Sequence, residues 1–478
     1  MHVRLLSGDQ ITRVHEASLA VLADVGVHLP HPELLSRLAD SGATVDLATE
    51  RVRIPAELVD RCLATAGKQF TLYGRDLGKT ARFGFGERNY NSIAGEGHWI
   101  DRPGGRRRPA RLADAAVAAR MGDALAHINL VGAMTDPQDV PTPLKCIEVM
   151  SQMLRHTTKP IHFWFHDRAS AKYLVDMTIA LRGDERRARE HPVCYPFLEP
   201  ISPLRFPFNG VDVLFETARL NLPVPIGPMA QMGLSAPCTL AATLAQENAE
   251  ILAGVCVTQL IRPGMPVMYG GIPHAFDMGT TQLIFSGPEQ ALFGVAMTQI
   301  GKHYGFPVYI NVGLTDSKRP DGQAGLEAGI TLMLGAAGGA DIFGHMGISG
   351  VDQASSLDML VFQDEVIGFV ESVLRELDFG EEAFALDVVR EVGPGGSYIN
   401  ADHTALNFRN ALWFPKLLDR RFYDAWLSSG AQSLEDRCRA RTEALRASHE
   451  PEPLPDDTAA ALDEVVRAAR TDLLPQSG

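Results

Sequence analysis

Residues 315–322, TDSKRPDG, put four charged side chains and two hydroxyls into one short loop between the apolar run PVYINVGL and a Gly/Ala-rich stretch. Asp316, Lys318, Arg319 and Asp321 cannot all be buried without partners, and Gly313 and Gly322 let the chain turn sharply. Such a loop either lines a polar cavity or pairs its ions at the surface. Asp316 and His345, the latter among small residues in GADIFGHMGISG, are the candidate catalytic groups. Arg319 and His345 are also the groups that would meet a ligand carboxylate, as a guanidinium fork and an imidazolium. Asn311, Lys318 and Arg319 are candidate substrate contacts beside four aromatics: Tyr90 and Trp99 in NYNSIAGEGHWID, Trp164 in HFWFH, and Phe276. These rings come from three separated segments, and ring faces attract an ammonium group by about 0.5–2 kcal/mol each. Ordinary core packing competes with that reading, most of all for Trp164, whose neighbours alternate, and for Phe276.

Several chemistries are absent from the sequence. It contains no G-x-G-x-x-G, H-E-x-x-H, G-x-S-x-G or D-x-H-x-x-G pattern, and Gly74 to Thr80, GRDLGKT, is one residue short of a phosphate loop. The six cysteines are far apart with no C-x-x-C, which suggests reduced thiols and neither a zinc site nor a disulfide framework. No metal site is expected.

The elements that must position these residues are short apolar runs: INLVGAM, PIHFWF, YPFLEPI, VPIGPMA, PVMYGGI, PVYINVG and ADIFGHMGI, covering residues 128–348. Each is followed by a turn and a helical stretch, as in strand, crossover helix and next strand. The pattern predicts a (β/α)8 TIM barrel, in which the candidate residues sit at strand C-terminal ends. The eighth strand is sought near SIAGEGHWI or near GGSYIN. Residues 1–110 read as an N-terminal α+β extension. Its opening helix is capped by Ser7 and Gln10, further helices follow Pro32 and Pro55, and strands are expected at RVRIP and QFTLYGRD. Residues 111–375 form the barrel core, and 376–478 a mainly helical C-terminal region. GHWIDRPGGRRRP reads as a hairpin with a Pro-Gly-Gly turn, its arginines either a solvated tip or a contact for an acidic partner.

The 478 residues carry a net charge of -14 with dispersed basic residues, against nucleic acid or an anionic membrane as partner and mildly for cationic ligands. No apolar run reaches the length of a membrane span and the N-terminus has no apolar leader, so a cytoplasmic location is expected.

TDSKRPDGQAGLEAG, DIFGHMGISGVDQASSLDMLVFQDEVIGFV, the early ASLAVLADVGVHLPHPELLSRLADSGATVD with RVRIP, and the late EVGPGGSYINADHT and AWLSSG together resemble the trimethylamine methyltransferase family over nearly the whole chain. That resemblance implies a TIM barrel moving a methyl group from a methylated amine to the Co(I) of a corrinoid (cobalamin) carried by a separate protein, with no cofactor held stably by this chain. A homo-oligomer is also expected. The family's archaeal founders carry pyrrolysine, whose position falls in or near TDSK; every residue here is standard. Members without it resemble enzymes for quaternary amines, glycine betaine foremost. A quaternary nitrogen is already a cationic leaving group, and the nucleophile belongs to the partner, so the chain would need only to bind the cation, align one N–CH3 bond and exclude water. Two other readings are a TIM-barrel transferase or lyase on a small carbonyl compound, with Lys318 as Schiff base, and a quaternary-ammonium binding protein without transfer.

Overall fold

A computed structural model describes residues 2–102 and 104–475, so Pro103 of the expected Pro-Gly-Gly turn lies outside the described residues. The architecture is mixed α/β around parallel strands. Five of them, Val224–Ile226, Val267–Gly270, Val308–Asn311, Ile342–Met346 and Asn89–Ser92, adjoin in that order, each pairing parallel. Val131–Gly132 and Ile161–His162 form a second parallel pair. A parallel bridge between Asn91 and Leu130 joins that pair to Asn89–Ser92. On its other side, Ile161 N donates to Val193 O, and Leu198 bridges parallel to Ile226. Neighbouring segments, paired parallel wherever a ladder or bridge forms, therefore run through eight members, with the extended stretch 193–198 joined on one side by a single hydrogen bond.

Helices follow the strands in the expected alternation: Leu112–Ala124, Lys145–His156, Arg168–Arg182, Phe208–Thr217, Leu240–Ile261, Pro288–His303, Gly322–Gly338 and Leu357–Leu374. Strands covered by helices on one side and filled by side chains on the other should read as unbroken apolar runs. Val131–Gly132, Val224–Ile226 and Val267–Gly270 do, and Ile161–His162, Val308–Asn311 and Ile342–Met346 break the run with one polar residue each, His162, Asn311 and His345. The strand that departs most is Asn89–Ser92, all four residues of which are buried. Most of its polar groups find partners inside: Asn89 Nδ2 donates to Asp341 O at 3.0 Å, and Ser92 Oγ accepts the Gly132 amide at 2.7 Å, while Asn91 Oδ1 has no partner among the described residues. This strand begins three residues before SIAGEGHWI and lies within the first 110 residues, so the parallel sheet takes one member from that stretch. GGSYIN forms no strand, and YPFLEPI contributes bridges rather than a regular one.

The expected N-terminal elements appear as helices Gly8–Ala20, with the Ser7–Gln10 capping box, Pro32–Asp40 and Ala56–Thr65, and as strands Arg51–Arg53 and Phe70–Tyr73. GRDLGKT forms the turn between Phe70–Tyr73 and Thr80–Phe83, where Asp76 accepts the Gly78 amide.

A small four-stranded sheet sits past the C-terminal ends of two parallel strands. Its order is Ile348–Ser349, Ala354–Ser356, His98–Ile100 and Arg107–Pro109. The hairpin expected at GHWIDRPGGRRRP is thus its outer half. Arg108 is held between Asp101 and Asp114, and Arg107 donates to Gln353 Oε1 at 2.8 Å. At the other end of the chain, helices Leu434–Ser448 and Asp456–Leu473 bury Cys438, Leu445, Leu462 and Val466 against the core. Among the described residues no helix is long and apolar enough to cross a membrane.

Candidate active site

Side chains from the C-terminal ends of the parallel segments converge on a cavity of about 80 Å³ lined by Ile93, Glu96, Trp164, Phe197, Glu199, Met229, Ile272, Phe285, Asn311, His345 and Asp352. Two larger hollows, of about 850 and 760 Å³, are bordered mainly by outer helical faces and share no lining residue with this cavity. Chemistry favours the small one, because there carboxyl groups, a histidine and aromatic rings meet at the C-terminal ends of parallel strands.

One wall is aromatic. Trp164 meets Phe197 edge to face with centroids 6.0 Å apart, and Phe197 meets Tyr309 in the same manner at 5.8 Å. The indole NH donates to Gly95 O at 2.9 Å, which fixes its orientation. Behind it the His345 ring stacks on His162 at 5.8 Å. Gly344 must lack a side chain, since a Cβ there would stand 2.0 Å from Asn91 Oδ1.

His345 is buried, and its pKa is pushed well below the ordinary value by desolvation and by the neighbouring His162 and His274. It is a neutral imidazole, so it cannot meet a carboxylate as an imidazolium. Tyr309 donates its phenol proton to Asn311 Oδ1 at 2.8 Å and also contacts His345 Nε2. With that proton committed, His345 donates from Nε2, and Nδ1 is left as a bare acceptor without a protein partner.

The opposite side is acidic. Glu96 lies within hydrogen-bonding reach of Asp352; burial first, and then Asp352, push the Glu96 carboxyl up to about 9. Asp352 is raised by burial as well. Two carboxyl groups so placed share a proton at neutral pH. Glu199 remains water-accessible at the rim, yet the protein around its carboxyl and the charge on Asp352 raise it to about 7. Among the described residues no lysine or arginine lines the cavity.

The candidate residues divide between this cavity and other places. Trp164, Asn311 and His345 line it. Asp316 does not; it accepts the Phe285 amide at 2.9 Å and so holds the backbone of a lining residue. Lys318 is exposed, its ammonium turned back to Asp316 O. Arg319 pairs with Glu435 on the outer surface. Tyr90 points into the helix layer, stacking on Phe343 and donating to Glu371. Trp99 is buried in the core with Arg108 over its ring. Phe276 lies on the hairpin His274–Asp277 with Gln282–Ile284, outside the lining. The expected four-ring cage is therefore not assembled; Trp164 and Phe197 form the aromatic wall instead.

Sequence reading missed Glu96, Asp352 and Phe197. The available signal was position: Glu96 sits in the Gly-rich turn after the polar strand, and Asp352 in the turn after His345.

A sequence profile of the trimethylamine methyltransferase (MTTB) family matches residues 1–474. The chain belongs to that family. It is 30% identical to the glycine betaine methyltransferase of Desulfitobacterium hafniense strain Y51, over 97% of this chain and 96% of that protein. It is 27% identical to the trimethylamine methyltransferase MttB of Methanosarcina thermophila, over 96% and 95%. Its fold resembles the crystal structure of the Methanosarcina barkeri monomethylamine methyltransferase MtmB, with a TM-score of 0.51 at 10% identity over 98% of this chain and 88% of that one. As a member of the trimethylamine methyltransferase family the chain is a methyltransferase.

Proposed function

We propose that the eight segments form a (β/α)8 barrel and that its C-terminal mouth binds a quaternary methylammonium compound, one methyl of which passes to Co(I) of a corrinoid carried by a separate protein. The observation that carries this reading is the convergence of Trp164 and Phe197 with Glu96, Asp352 and Glu199 on one small cavity. Aromatic faces and carboxyl groups both favour a cation, and the cavity has room for a methylated ammonium head but not for a corrin ring. The corrinoid therefore belongs outside, at the mouth, and supplies the nucleophile from there. In the division of the chain into residues 1–110, 111–375 and 376–478, the strand Asn89–Ser92 counts with the barrel.

Within the cavity this chain's residues bind, orient and exclude water. Trp164, fixed by Gly95, offers a face to the ammonium. His345 Nδ1, a bare acceptor, suits the partially positive N-methyl hydrogens. The shared proton of Glu96 and Asp352 lets the site adjust its charge to its ligand. Glycine betaine is the leading zwitterion, named in one relative. Its carboxylate would be met by protonated Glu96 and Glu199, because Arg319 is engaged elsewhere. A second reading is favoured by the three carboxyl groups and the lack of a lining cation: an ammonium whose far end is a hydroxyl or amine.

The test is a panel of methylated amines, betaines and choline incubated with Co(I) cobalamin, following methyl-Co(III) spectrally. Methyl transfer from a quaternary amine is the expected result. Transfer from trimethylamine with none from any quaternary compound would overturn the proposal.

A further inference from the structure

After helix Leu357–Leu374 the chain makes an excursion that has no core of its own. From residue 376 to 430 only Leu417 is buried. The helices Leu386–Val392, Asp402–Ala411 and Tyr423–Ser428 bury nothing, while Phe379 is 73% exposed, Ile399 80% and Leu406 76%. Helices this short are unstable alone in water, and helical stability in proteins comes from packing an apolar face. Exposed apolar surface on this scale marks an interaction site. The excursion is tethered at both ends: Arg375 donates to Ala411 O at 2.9 Å, Trp413 meets Phe369 edge to face, and Glu365 accepts the Lys416 and Leu417 amides.

The same chain carries a matching hollow. The outer faces of helices Gly322–Gly338 and Leu357–Leu374 border the space of about 850 Å³, lined by Ile330, Met333, Val366 and Phe369 among others. Ile330 is 52% exposed and Phe369 49%, so the excursion, which adds Leu418 to the lining and sets Trp413 against Phe369, leaves the hollow open.

We propose that residues 376–411 form an arm that packs into this hollow on a second copy of the chain. Two observations favour a second copy over the corrinoid protein. The arm and the hollow are apolar and lie on one sequence, so exchange between two chains satisfies both. The arm's root also lies at the wrong end for methyl transfer. Ser356 N donates to Gly347 O, which puts the start of helix Leu357–Leu374 at the C-terminal strand ends. Near its finish, Glu371 holds Arg88 and Tyr90 at the strands' opposite edge. A methyl acceptor has to reach the cavity, and that step of the argument rests on the proposed function. The exposed apolar side chains of one arm amount to roughly 800 Å² per partner, the size of a standard specific interface.

The experiment is light scattering on the full chain at micromolar concentration. It compares wild type, an arm variant (Phe379→Glu with Ile399→Glu), a hollow variant (Ile330→Glu), and an equimolar mixture of the two variants. Circular dichroism checks that each is folded. The expected result is a multimeric wild type, two monomeric variants, and partial reassociation in the mixture, where one chain has an intact arm and the other an intact hollow. A monomeric wild type, or variants of unchanged mass, would overturn the proposal; so would a mixture that stays monomeric. Amide exchange on wild type supplies a reading that needs no variant: residues 376–411 should be protected, and full exchange there would equally sink the idea. None of these outcomes depends on which amine is the substrate.

Discussion

Glu96 and Trp164 carry the most specific consequences at the level of single residues. A bound cation favours ionised carboxyl groups and draws the raised values of Glu96, about 9, and Glu199, about 7, downward. Affinity for choline should therefore climb as pH rises from below 7 towards 9. Glycine betaine should behave in the opposite sense, because its carboxylate needs the protonated forms as donors. Calorimetric titration of both ligands across that window checks the pair, and parallel slopes would show that these carboxyls do not sense the ligand. Glu96→Gln should flatten the upper part of both curves. The same group sets a stability trend. Its folded pKa lies above the unfolded one, so the folded state is penalised increasingly as pH rises from the ordinary carboxyl range to about 9. Wild-type Tm should fall over that interval, and Glu96→Gln should lessen the fall. The tryptophans separate binding from packing. Trp164→Ala should weaken cation binding by about 0.5–2 kcal/mol, the worth of a cation–π contact. Trp99→Ala should lower stability by about 3–5 kcal/mol, as for other buried aromatics, and leave affinity unchanged in the folded fraction. An affinity loss for Trp99→Ala without a stability loss would return that ring to the site.

Elements explain why some of this could be read in advance and some could not. Apolar runs such as PVYINVG and ADIFGHMGI announce their strands because both faces are buried. NYNS announces nothing: its Asn89, Asn91 and Ser92 side chains bond to Asp341 O, His162 and Gly132, and pattern reading cannot see partners supplied by distant segments. The same limit hid the acidic pair. Glu96 precedes one strand of the small sheet, and Asp352 turns between two others; only the pairing of Ser355 and Ser356 with Trp99 and Ile100 brings the two loops together. The TDSKRPD loop shows the converse. Its charges look catalytic, but Asp316 serves the hairpin segment by accepting the Phe285 amide, and Glu327 in turn accepts the Thr315 hydroxyl and the Asp316 amide. Asp316→Ala leaves a part-buried amide without its acceptor, a loss of about 1–3 kcal/mol. Because Phe285 lines the cavity, kcat/KM for methyl transfer should fall together with Tm. Asp316→Asn, which keeps an acceptor oxygen, should restore most of both. If Asp316→Asn is as inactive as Asp316→Ala while fully stable, Asp316 acts on the substrate directly.

On the scale of the whole molecule, the cavity opens at one end of the parallel segments and the arm leaves from the other. Multimer assembly and methyl transfer should therefore be separable. Variants in the outer hollow, such as Ile330→Glu, should retain per-chain methyl transfer to free Co(I) cobalamin within about threefold of wild type, since the hollow shares no lining residue with the cavity and exposed substitutions away from a site usually change stability by less than about 0.5 kcal/mol. Assembly should matter for endurance instead. Association stabilises the folded chain by mass action, so wild-type Tm should rise with protein concentration, whereas the hollow variants should melt at a concentration-independent temperature. Activity per chain and Tm against concentration, measured on the same samples, distinguish the outcomes. A hollow variant that remains folded yet loses transfer in proportion to its loss of assembly would mean that the second copy helps to build the active mouth, and the two ends of the molecule would have to be treated as one functional unit.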